Sequence, residues 1–415
     1  GNAADAVEIL SLGYMLPQLH MEPWEKGLLA AAVFAGMLIG GYAFGILSDH
    51  LGRRKCYTLT MAINTFFAIA FACSSSAAAF IPLRFLIGIG VGGAVPIVFS
   101  LGLEVLPPKN RGMFLSLVAA FWMLGSISTA LAAWALVPHY GWRAFAMFCV
   151  IPPALCVVLG LTWLPESPRF LLTRGDTGAA AAVLQRMAEV NRTHLPPLKL
   201  RATRRVALDM RQQLEELFSA SLRRVTLLTT TTWFGICFGW YGFTLWMPTM
   251  LEERGIKQDV YFSALLVAGA NLPGNIICAL TVDRVGRRVT LVVSMALASV
   301  FVAAFAIASS HFWIVTWGCF FNAASVGGWN SLDILSVELF PTSSRGTAMG
   351  FLTAVGRFAA LLAQLVHIEQ TPGTLFLNVG LLAVGGIAAA LLPKDTHNAA
   401  LQDTVAVQVE GQSIV

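Results

Sequence analysis

The chain has 415 residues, of which 57% are hydrophobic and 12% charged. Soluble domains carry about 25% charged residues, so this chain lacks the polar side chains needed to cover a water-facing surface. Its net charge of +5 is no sign of a nucleic-acid partner, because the basic residues sit in short loops between apolar stretches.

A membrane span needs about 20 apolar residues. Twelve such spans are predicted in chain order, at 1–17, 26–47, 56–75, 80–102, 112–136, 143–164, 224–250, 259–281, 289–308, 312–337, 347–367 and 373–392. They group as a first six-span unit (1–164), a polar linker (165–223), a second unit (224–392) and a tail (393–415). No cleavable leader is legible, and the chain opens inside an apolar segment, so its natural start is expected upstream. The linker holds Arg169, Arg174, Arg186, Arg192, Lys199, Arg201, Arg204, Arg205 and Arg211, and Thr177–Val190 and 206–220 have helical spacing. Lys and Arg crowd the even-numbered loops, which places both termini and the linker in the cytoplasm. On that topology the sequon at Asn191 faces the wrong side and is a chance tripeptide. The seven cysteines are expected as free thiols, with no disulfide framework and no metal spacing.

Two patterns recur at one shared offset of 234 positions (49 to 283, 104 to 338). Asp49-His-Leu-Gly-Arg53-Arg54 returns as Asp283-Arg-Val-Gly-Arg287-Arg288. Glu104 with Arg111 returns as Glu338 with Arg345. A common offset at separate places marks a duplicated block of helices, the parallel-repeat plan of a two-halved transporter with its site between the halves.

The string from Gly45 to Lys55 resembles the loop 2–3 signature of the major facilitator superfamily. Arg84-Phe-Leu-Ile-Gly88, Pro165-Glu-Ser-Pro-Arg169 and Glu338-Leu-Phe-Pro341 are similar to its sugar-porter and organic-ion branches. Ala4-Asp5-Ala-Val-Glu8, Pro96–Ser100, Phe121-Trp122-Met123 and the run from Trp329 through Asn330 and Asp333 to Glu338 resemble the synaptic vesicle glycoprotein 2 and related proteins. The resemblance implies an all-α membrane fold of twelve transmembrane helices in two pseudo-symmetric six-helix bundles. One departure matters: only 251–259 joins spans 7 and 8, where those glycoproteins carry a long luminal domain. Properties resting on that domain are not carried over.

Asp49, Arg53 and Arg54, with Asp283, Arg287 and Arg288, are expected to form gating clamps at the cytoplasmic ends of the spans. Glu104 paired with Arg111, and Glu338 paired with Arg345, are expected as further cytoplasmic clamps. Exposed ion pairs are weak, which suits a gate that opens on every cycle. The glycines of each loop allow the tight turn, and Gly88, Gly90, Gly92 and Gly93 read as close helix packing.

Charges at membrane depth cost about 2.5–3.5 kcal/mol on insertion scales, so each is a functional candidate. At 1.5 Å per residue, Asp5 lies roughly 18 Å from Pro17, Asp333 roughly 12 Å from Pro341 and Arg357 roughly 18 Å from Arg345. Asp5 is the first candidate for proton coupling and Glu8 the second. Asp333 and Arg357 either neutralise each other or leave Arg357 as counter-ion to an anionic solute. Arg84 is read as a partner for span 1. Trp122, Trp240, Tyr241 and Trp329 are expected to line a ligand cavity, with Asn330 as a polar handle. Trp134, Trp142, Trp246 and Trp313 fit interfacial anchors.

The expected function is a secondary active transporter of a small organic solute, an organic ion or vitamin-like ring compound, driven by protons and working by alternating access. The expected protein is a monomer in a plasma or vesicle membrane, with no cofactor, no metal and no enzymatic activity. No Walker motif points to ATP. Two alternatives stand: a hexose transporter, against which span 7 lacks a sugar pocket's paired glutamines, and a ligand-binding membrane protein that transports nothing.

Overall fold

The computed structural model describes residues 1–105, 111–193, 210–256, 259–341, 344–368 and 371–393. The side chains of Arg111 and Asp283, and the tail from 394, lie outside the described residues. Among those described, regular structure is helical throughout. The first half runs α1 (Asn2–Met15), α2 (Pro23–Leu51), α3 (Arg53–Cys73), α4 (Ala77–Val105), α5 (Arg111–Cys149) and α6 (Ile151–Thr162). The linker carries α7 (Pro168–Thr173), α8 (Thr177–Val190) and α9 (Met210–Leu217). The second half runs α10 (Arg223–Glu253), α11 (Val260–Gly269), α12 (Asn271–Val285), α13 (Arg287–Ile307), α14 (His311–Glu338), α15 (Arg345–Val366) and α16 (Pro372–Ala390).

Local chemistry sets the boundaries. Pro23 opens α2, where Glu22 and Glu25 form a reciprocal capping box. Asp176 caps α8 by accepting from the Ala179 N–H at 2.8 Å. Eight stretches among the described residues are long and apolar enough to cross a bilayer. One of them, Ala120–Thr162, counts 43 residues. A straight helix of that length would reach about 65 Å, twice the hydrocarbon thickness. Gly141, at φ 77°, breaks it into two crossings. Span 8 is likewise two helices, parted at Ala270. Pro273 causes that break, because it has no N–H to return to the Gly269 carbonyl.

Packing separates the helices into two sets. α2 lies on α4, α3 on α4 and α6, and α1 on α5. In the second half α13 lies on α14 and α16, and α10 on α15 and α16. An ideal Cβ on Gly36, Gly40, Gly88 or Gly92 would fall within 2.3 Å of a backbone oxygen on the facing helix. The α2–α4 contact therefore depends on glycine on both sides, as in other membrane helix pairs. The two sets meet through α1–α10, α2–α15 and α5–α11. Under the repeat, α2 corresponds to α11 and α5 to α15, so the last two seams are one contact seen twice.

Candidate functional site

At the helix ends that carry the Asp-Gly-Arg motifs, here the basic end, Gly52 and Gly286 join consecutive helices with φ of 101° and 93°. Only glycine holds that conformation at little strain. Arg53 donates to Asp49 at 2.7 Å and lies 3.4 Å from Glu104. In the second half Arg287 lies 3.4 Å from Glu338, the same pair displaced by the repeat. Glu338 thus meets Arg287 rather than the expected Arg345, whose Nε donates to the Phe340 carbonyl. Glu104 meets Arg53, and the side chain of its expected partner Arg111 lies outside the described residues. Arg54 donates to the Gly160 and Leu161 carbonyls, and Arg288 to that of Ala390, so each caps the last turn of its half. The backbone N–H groups of Arg53, Arg54 and Ser167 all donate to Glu166 Oε1, at 2.8, 3.2 and 3.0 Å. That carboxylate compensates the positive end of α3. These ion pairs stay within one half.

The opposite, far end is where the halves close on each other. An ideal Cβ on Gly13 would lie 2.5 Å from the Leu245 carbonyl oxygen, and one on Gly27 2.3 Å from Ile368. Tyr261 donates to the Tyr14 carbonyl at 3.4 Å, and the Trp134 and Phe262 rings stand 5.9 Å apart. All four contacts join the first half to the second.

Between these ends lie the charged groups. Asp5 and Glu8 are 1% and 2% exposed. Glu8 faces Arg84, itself 1% exposed, at 3.7 Å. Arg84 also donates to the Glu8 carbonyl at 3.2 Å and sits 4.4 Å from the Phe71 ring. Asp5 has no such support. Neither of its carboxyl oxygens has a hydrogen-bond partner, and the cation that acts on it from the opposite half is Arg357. Arg357 accordingly feels α1, and also Tyr241 and Cys237 on α10. Its Nη1 donates to the Tyr241 hydroxyl at 2.8 Å. Asp333 on α14 shares the field of Arg357, yet the two form no ion pair among the described residues. Asp333 is exposed. Its charge is felt by Tyr241 and Cys237 on α10 as well as by Arg357 on α15.

Three of the four expected aromatic residues meet, joined by one more, while Trp122 makes no ring contact with them among the described residues. Trp329 stands 5.9 Å from Trp240, 6.1 Å from Tyr241 and 6.1 Å from Trp233, all edge to face. Trp233 escaped the sequence reading, although it lies seven residues before Trp240 and so on the same face of α10. Its indole donates to Ser336 at 2.8 Å, tying α10 to α14. Phe34, from α2, closes the cluster at 5.0 Å from Tyr241. Trp240 and Tyr241 are buried in this packing, whereas Trp329, Trp122 and Asn330 keep partly open surfaces. Asn330 donates to Asn275 at 3.4 Å, and Asn275 donates to Met123 Sδ on α5 at 3.3 Å, carrying the polar chain across the seam. Of the expected interfacial anchors, Trp134 and Trp313 are exposed, but Trp142 and Trp246 are buried in the core at 9% and 1%. Spacing gives depth along a helix and not the face, which is why those two were misread.

Comparison with known proteins places this geometry. The family described as "Sugar (and other) transporter" matches residues 19–402. Synaptic vesicle glycoprotein 2A of Rattus norvegicus is 26% identical, over 96% of this chain and 76% of its own. Synaptic vesicle glycoprotein 2C of Mus musculus is also 26% identical, over 96% and 77%. Among solved structures, the xylose transporter XylE of E. coli, in a partially occluded inward-open conformation, superposes with a TM-score of 0.76 at 17% identity, covering 97% of each chain. A D-xylose-proton symporter superposes at 0.72 and 18% identity, over 96% of this chain and 98% of that one. The chain is a multi-pass membrane protein of the sugar (and other) transporter family, within the major facilitator superfamily.

Proposed function

We propose that this chain is a proton-coupled secondary active transporter of a small organic solute, cycling its midplane site between the two faces of the membrane. One observation carries the reading. Asp5, on the first half, is a buried acid without a hydrogen-bond partner, and the cation that acts on it from the second half is Arg357. An ionised carboxylate in that position costs several kcal/mol unless it is paired. Its charge state and the distance between the halves are therefore linked, which is what coupling requires.

In this reading twelve crossings form two six-helix bundles, and the protein works as a monomer in a plasma or vesicle membrane. The basic end and both termini are cytoplasmic by the positive-inside rule. The far-end seam is then the closed outer gate, and the accessible Asp333 marks the inward-facing state. Asp49, Arg53, Glu104, Arg287 and Glu338 hold the cytoplasmic ends of each half in shape. Trp329, Trp122, Asn330, Asp333 and Arg357 present the surfaces that a solute touches, backed by Trp240 and Tyr241. Hexose transport is the second reading, favoured by the family and by the two xylose carriers. Against it, the α10 surface is built of Trp233, Trp240 and Tyr241 rather than amides.

The test is uptake by purified protein in proteoliposomes of a panel of hexoses, amines, organic acids and amino acids, with and without an imposed pH gradient. Accumulation of one class only under the gradient is expected. Binding without uptake in either condition would replace transport by ligand sensing.

A further inference from the structure

The midplane site carries two acids and one base, and their arrangement selects a class of solute. Asp5 is buried, whereas Asp333 and Arg357 have accessible surface. Asp333 and Arg357 share a field but form no ion pair among the described residues. Each is therefore only partly compensated by the other, in a region where uncompensated charge is expensive. The guanidinium is oriented by the Tyr241 hydroxyl at 2.8 Å. That bond uses one of its five donors, and the planar fork leaves an edge suited to a carboxylate. Asp333 stands one helical turn after Trp329 on α14, so an acid and a partly open indole lie on one helix face. A carboxylate beside an aromatic face is the chemistry that holds an organic ammonium. When Asp5 carries the transported proton it is neutral, and the accessible site then holds one positive and one negative group.

Resting on the transport reading above, we infer that the solute is a zwitterion. Its carboxylate is held by Arg357 and its ammonium by Asp333 against Trp329. A singly charged solute would leave one of the two groups unpaired once the bound solute had displaced the site's water, and a neutral sugar would leave both without a charged ligand partner.

Ligand binding to the purified protein in detergent tests this without any need for transport. Two matched series serve as probes. The first is glycine betaine, choline and 3,3-dimethylbutyrate. The second is phenylalanine, its methyl ester and its N-acetyl derivative. Glucose is the neutral control. In at least one series the zwitterion is expected to bind ten times or more tighter than both singly charged members. Tightest binding by glucose or by a singly charged probe overturns the inference, as does no binding by either zwitterion. Arg357→Gln should bring the methyl ester level with phenylalanine, and Asp333→Asn should do so for the N-acetyl form. Unchanged preference in stably folded variants also overturns it. Zwitterion binding without proton-driven uptake would sink the transport reading and leave this one standing. Proton-driven uptake of a hexose would do the reverse.

Discussion

Asp5 and Glu8 lie one turn apart on α1 and face opposite circumstances. Glu8 is locked to Arg84, which also leans on Phe71, while Asp5 has no hydrogen-bond partner. Breaking a buried pair costs about 3–5 kcal/mol because it strands a charge. Glu8→Gln should therefore lower thermal stability by that order, measured by unfolding of the detergent-solubilised protein. Asp5→Asn should leave stability nearly intact and abolish gradient-driven accumulation, while solute exchange continues. Full accumulation by that variant would remove Asp5 from coupling. Trp329→Ala should weaken solute binding roughly tenfold, on the scale of about 1–2 kcal/mol for a desolvated cation–π contact, and a titration would show it. The sequence marked all three residues as candidates within apolar spans. It could not assign Arg84 to Glu8 rather than Asp5, since that choice depends on the rotation of α1.

Glycines set the elements' closest approaches, and those at the far end fall where the halves must part. Gly13 meets the Leu245 backbone and Gly27 meets Ile368. A side chain there has nowhere to go while the end is shut. Gly13→Val should hold the far end open. With the native cysteines replaced and Thr244→Cys introduced in the small cavity beneath the seam, its labelling by an impermeant thiol reagent from that side should rise several-fold. No change in labelling would show that the seam yields elsewhere. Much of this level was legible beforehand. The motif offset marked the duplication, the Gly52 and Gly286 turns followed from the motifs, and the linker helix at Thr177–Val190 followed from its periodicity. The Arg287–Glu338 pair was not, because Arg345 lies nearer in sequence and only the fold brings α13 against the end of α14. The break at Ala270 was signalled by Pro273 and passed over inside an otherwise continuous apolar run.

At the scale of the whole molecule, the duplication makes α2–α15 and α5–α11 one seam used twice, so a rocking motion can close one end as it opens the other. In the present state the far end is shut by Gly13, Gly27, Tyr261 and Trp134, while the basic-end ion pairs hold each half separately. Spin labels on exposed residues can report both ends at once. Trp24 and Phe312 span the halves at the far end, and Leu51 and Val285 do so at the basic end. Distance distributions measured in a bilayer, with and without solute at acid and neutral pH, test the central claim most directly. The account predicts that the Trp24–Phe312 distance lengthens under the conditions in which the Leu51–Val285 distance shortens. Distances that stay fixed, or that change together, would contradict it.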